Sequence, residues 1–95
     1  MSERVDILIV DDREDGLVAL EAVLRNPTYN LVRATSGQEA LSLIPEYDFA
    51  LILLDVQMPG MDGFETAAHI KNMSSYKHVP IIFVTAINKD DLYMY

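Results

Sequence analysis

The chain contains no cysteine, and only 7 of its 95 residues are lysine or arginine. Without cysteine there is no disulfide framework and no thiolate metal site, as expected of a cytoplasmic protein. Against the few cations stand 15 aspartates and glutamates, giving a formal net charge of −8. Binding to a phosphate backbone needs clustered lysine and arginine, so this balance argues against nucleic acid as a partner of this segment. No apolar run approaches the roughly 20 residues that cross a bilayer, so no membrane span is expected. The opening MSERVD carries charge and leads straight into a strand pattern, without the apolar stretch or small-residue cleavage site of a leader. A length of 95 residues leaves room for one domain. A composition of 51% hydrophobic and 23% charged residues is that of an ordinary globular chain rather than a disordered one.

What is present is a set of short apolar runs that end in polar chemistry. Val5 to Val10 (VDILIV) ends in Asp11 and Asp12, Phe49 to Leu54 ends in Asp55, and Val79 to Val84 ends in Thr85. Runs this short and rich in Val, Ile and Leu read as strands covered on both faces. A shorter, more polar run from Asn30 to Ala34, containing Arg33, reads as an edge strand. Between them lie helical patterns. Asp12 is the expected cap of a first helix, with Glu14 and Asp15 in its first turn and Leu17, Leu20, Val23 and Leu24 at helical spacing. Asn26-Pro27 ends it. Ser36 and Glu39 form an S-x-x-E capping box for a second helix with Ala40, Leu41 and Ile44 as its apolar stripe. Asp62 and Glu65 repeat that signature for a third, with Phe64, Ala67, Ala68 and Ile70 expected to face inward. Ser74 to His78 reads as a polar loop, and Asn88 to Tyr95 as the opening of a fourth helix.

Strands alternating with helices predict a doubly wound α/β fold with a parallel sheet. In such sheets ligands bind beyond the carboxyl ends of the strands, where the strand order reverses. Asp11, Asp12, Asp55 and Thr85 all fall at such ends. Three carboxylates at one edge repel each other, and a hard divalent cation removes the conflict. Mg²⁺ suits the position because it takes oxygen ligands, needs one or two carboxylates directly, and keeps waters that a phosphate can displace. A carboxylate such as Asp55 is an accepted nucleophile for phosphoryl transfer, a reaction catalysed mainly by positioning and charge neutralisation.

VDILIVDD, LILLDVQMPGMDG and IIFVTA resemble the three signature blocks of the receiver domain of two-component response regulators, in the right order and across the whole chain. That resemblance implies a flavodoxin-like receiver fold with strand order 2-1-3-4, and a phosphorelay function. By it, Asp55 is the phosphoacceptor and a Mg²⁺ ligand, Asp12 a direct ligand, Asp11 a ligand through water, and the backbone carbonyl of Gln57 a further ligand. Thr85 is the switch hydroxyl, and Ala86 the small residue that admits the phosphate. The implied phosphodonor is a histidine kinase or a His phosphotransfer domain, and the implied role is that of a signalling domain rather than an enzyme.

The full family pattern also has a fifth strand and helix, with a lysine that pairs with the phosphate. Here the fifth unit is expected to be absent and the domain, 1–95, C-terminally incomplete, ending inside a helix as a fragment would. Lys71, Lys77 and Lys89 are the lysines, and none follows a buried strand. The fourth strand would then be an exposed apolar edge, which predicts a homodimer or domain swap. Two other readings stand beside the receiver. One is a receiver-like interaction module that takes no phosphate. The other is a small phosphatase or phosphotransferase using Asp55 as nucleophile, against which stands Gln57, where such an enzyme wants a second acid. His69 and His78 read as surface residues, and Met58 and Met61 as packing residues.

Overall fold

The computed structural model describes residues 4–84 and 92–94. Their order is β1 (Val5–Val10), α1 (Glu14–Val23), β2 (Tyr29–Ala34), α2 (Gly37–Leu43), β3 (Leu51–Asp55), α3 (Gly63–Lys71), β4 (Ile81–Val84) and β5 (Leu92–Met94). Single 3-10 turns at Ile44–Glu46 and Ser74–Tyr76 lead into β3 and β4. The sheet runs β2-β1-β3-β4-β5, and its first four strands are parallel, as the alternation of strands and helices predicts. The reversal of order between β1 and β3 marks the edge where ligands bind in folds of this type.

Strand alternation divides the core into two layers, because successive side chains leave opposite faces of the sheet. Ile7, Ile9, Leu53 and Val84 pack with Leu17 and Leu20 of α1. Leu8, Val10, Ile52, Leu54 and Ile81 pack on the other face with Ala40 of α2 and Ala67 and Ile70 of α3. Among the described residues no helix is long and apolar enough to cross a membrane.

The structure departs from the sequence pattern in several places. Residues 92–94 form a strand, antiparallel to β4, where a helix was expected. Three residues of a predicted helical pattern carry little periodicity, and the open hydrogen-bonding edge of β4 competes for them. With β5 in place, β4 is not a sheet edge, so the expected dimer or swap through an exposed fourth strand loses its basis. Asp12 is not the cap of α1. The N-cap is Arg13, whose side chain makes no capping bond, and Arg13 N–H instead donates to Asp11 Oδ1 at 3.0 Å. Val23 is 71% exposed, while Leu24 packs into the α1 layer as expected.

In α3, Phe64 is 60% exposed and Ala68 is also exposed. Thr66 takes the inward position, its hydroxyl donating to Asp62 O at 2.8 Å. Phe64 still shields the sheet from its rim, with its ring centroid 4.8 Å from that of Phe83. The box at Asp62 and Glu65 is complete, whereas that at Ser36 is half formed. There Glu39 Oε1 reaches past the cap to the N–H of Thr35 at 2.6 Å.

The loop expected at 74–78 holds a core residue. Tyr76 is buried, donates its hydroxyl to Tyr47 O at 2.9 Å and accepts Phe49 N–H at 3.0 Å. Met58 is buried as a packing residue, and His69 and His78 lie on the surface, as expected. Thr85, Ala86 and Lys89 lie outside the described residues.

Candidate metal and phosphoryl site

The register between β1 and β3 builds the site. Val10 pairs with Leu54, so Asp11 and Asp55 are the next residues of two neighbouring parallel strands and stand side by side at the sheet's carboxyl edge. Alternation also puts both on the α1 side, in step with Ile9 and Leu53. Asp12, two residues beyond β1, joins them from the loop. One oxygen of each of the three carboxylates lies within 4.8 Å of the others.

Their surroundings differ. Asp11 is fully buried, Asp55 is 2% exposed, and Asp12 is exposed. Each buried acid is held by a backbone N–H two residues on, a turn that aspartate makes readily. Arg13 N–H donates to Asp11 Oδ1 at 3.0 Å, and Gln57 N–H donates to Asp55 Oδ1 at 3.3 Å. The carboxylates are therefore oriented before anything binds.

A cleft of about 350 Å³ opens over this edge, lined by Asp12, Arg13, Asp15, Gly16, Ala19, Asp55 and Gln57. The guanidinium of Arg13 lies along Asp15 in the cleft lining, with Nε and Nη2 donating at 3.2 and 3.1 Å. An all-oxygen donor set, part buried and part open to water, fits a hard divalent cation that keeps some of its waters.

Thus Asp11, Asp12, Asp55 and Gln57 come together as the sequence suggested. Arg13, Asp15, Gly16 and Ala19 of the first loop and helix also line the cleft, although the sequence pointed only to Asp15, and to it as a first-turn acid. A signal was available in Gly16, an isolated glycine inside a helical pattern, which commonly has a packing reason. Outside the cleft, Arg33 of β2 bonds Glu21 and Glu14 of α1 at 2.7 and 2.8 Å, strapping the edge strand to the helix. The Arg33 guanidinium holds the Glu21 carboxyl below its usual range, and the two glutamates raise Arg33.

Comparison with known proteins bears on this edge. The family model of the response regulator receiver domain matches residues 7–94. Response regulator PleD of Caulobacter vibrioides is 39% identical over 82 residues, which cover 86% of this chain and 18% of that protein. The chain thus spans about a fifth of the length of such a relative. Among solved structures, chemotaxis protein CheY4 of Vibrio cholerae superposes with a TM-score of 0.79 at 32% identity, over 85% of this chain and 68% of that one. Response regulator TrrA of Thermotoga maritima, in complex with Mg²⁺-BeF, superposes with a TM-score of 0.76 at 34% identity, over 86% and 70% of the two chains.

Proposed function

The chain belongs to the response regulator receiver domain family, and from that premise we propose that it accepts a phosphoryl group on Asp55 in a Mg²⁺-dependent step of a two-component phosphorelay. The observation that carries this reading is the grouping of a buried, oriented Asp55 with Asp11 and Asp12, beside an open cleft that Asp12 and Asp55 line. A Mg²⁺ ion would be held by Asp12, Asp55 and the backbone carbonyl of Gln57, with Asp11 acting through water. When bound, it neutralises charge on the phosphoryl oxygens.

The protein's own contribution is the nucleophile and its aim. The Gln57 N–H helps to orient the Asp55 carboxylate, which in this reading attacks phosphorus. With a phosphohistidine donor the new bond is carboxylate O–P, the bond that breaks is P–N, and the imidazole leaves with the electron pair. Such a donor would approach Asp55 through the cleft that it lines. A histidine kinase or His phosphotransfer domain supplies the phosphohistidine in this reading. In this reading Thr85 is the switch hydroxyl and Ala86 the small residue that admits the phosphate, the roles that the family resemblance implies for them. The TrrA complex with Mg²⁺-BeF supports the proposal by the family's chemistry.

The test is exposure to acetyl phosphate followed by intact mass spectrometry. Wild type gains one phosphate in Mg²⁺ and none in excess EDTA, and Asp55→Asn gains none. A gain by Asp55→Asn equal to that of wild type would overturn the assignment.

A further inference from the structure

Gly16 is the third residue of α1, a position where glycine weakens a helix. Its backbone does not demand glycine, because among the glycines only Gly60 has a positive φ. The space around it does. A Cβ at position 16 would fall on Asp11 Oδ2, and would stand 2.5 Å from Asp11 Cγ and 3.0 Å from Oδ1. Real Cβ atoms do not approach heavy atoms so closely, so either the carboxylate or the helix must shift.

The carboxylate has little freedom to yield. Asp11 is fully buried, and its Oδ1 accepts the Arg13 N–H. It is enclosed between that amide on one side and the bare Cα of residue 16 on the other. We propose that Gly16 is a positioning residue for the cation site: by bringing no side chain, it lets α1 close onto β1 and sets where the Asp11 carboxylate stands relative to Asp12 and Asp55. The inference rests on the proposed Mg²⁺ site and adds to it a residue that touches neither the cation nor the phosphoryl group.

The experiment uses the full chain and four proteins: wild type, Gly16→Ala, Asp11→Ala and the double variant. MgCl₂ is titrated by calorimetry, and each protein is melted without metal. Gly16→Ala is expected to bind Mg²⁺ about 10–100-fold more weakly than wild type, as displacement of an outer-shell partner does. It is also expected to melt lower than wild type. In the Asp11→Ala background the same substitution is expected to raise the midpoint, because the obstructing carboxylate is gone and alanine favours the helix. If Gly16→Ala does not fold but the double variant does, the conflict with Asp11 is established by that rescue.

Unchanged Mg²⁺ affinity in a folded Gly16→Ala would overturn the inference, as would an equal midpoint loss in both backgrounds or failure of both Gly16 variants to fold. Failure of the underlying reading looks different. Wild type that takes no Mg²⁺ contradicts the proposed site, and the melting cycle alone then decides whether Gly16 positions Asp11.

Discussion

The loops after β1 and β3 solve the same problem in two ways. Each carries an aspartate whose Oδ1 takes a backbone N–H from two residues on, and each leads into a helix with a glycine pressed against the aspartate's residue. In the first loop the glycine is Gly16, and what it faces is the Asp11 side chain. In the second it is Gly63, and what it faces is backbone: a Cβ there would strike Asp55 O and stand 2.9 Å from Val56 Cα. The first loop is short and its helix starts without a side-chain cap, whereas the second runs seven residues, from Val56 to Asp62, to a full capping box. The first loop thus sacrifices helix quality to set a carboxylate. The second anchors a strand end firmly and leaves its carboxylate turned to the cleft. On the proposed function, one loop would tune the cation site and the other would keep the backbone of Asp55 in place.

That contrast can be broken at its strongest point with Gly63→Ala. The obstructing atoms are main chain, so they cannot rotate away, and overpacking of this kind costs about 1–3 kcal/mol. Urea denaturation is expected to show that loss, whereas Gly16→Ala is read first in Mg²⁺ affinity. A smaller effect separates the two helix starts. Asp62→Ala removes the oxygen that accepts Glu65 N–H at 2.8 Å and should cost about 1 kcal/mol. Asp12→Ala removes no cap and relieves repulsion, so its urea midpoint should not fall.

The smallest effect concerns the strap beside the first loop. Glu21 bonds Arg33 and titrates below its usual value of 4.5, so the pair's contribution is fully present above that pH and disappears as pH falls through the lowered value. Both side chains are about a third exposed, at 34% and 37%, so solvent screens the pair. Glu21→Gln should therefore lower the melting midpoint slightly at neutral pH. The gap from wild type should close well below pH 4.5. A gap that widens on acidification would contradict the assignment.

Much of the site was legible because strand boundaries and the Asp55 block are local patterns. Apolar runs ending in Asp11 and Asp55 predicted the shared edge, and Asp62 with Glu65 predicted a helix start that the structure has in full. What was not legible depended on how the elements pack on one another. Asp12 reads as a cap, yet Asp11 takes the Arg13 amide because it is the residue that β1's alternation turns toward α1. Phe64 reads as inward by hydropathy, but α3 lies on the sheet through Ala67 and Ile70, where only small or aliphatic side chains allow close approach. Tyr76 sits in a polar stretch and is buried because its hydroxyl has main-chain partners near Tyr47 and Phe49. The strand at 92–94 arises from pairing with β4 rather than from any pattern of its own.

The most direct test of a cation site shared by the two loops is the change in backbone amide shifts when Mg²⁺ is added to the full chain at millimolar concentration. The largest changes are expected at Asp12, Arg13, Asp55, Val56 and Gln57, with the Tyr76 turn and the C-terminal half of α3 unmoved. Changes confined to one loop, or centred on another acidic part of the surface, would contradict it.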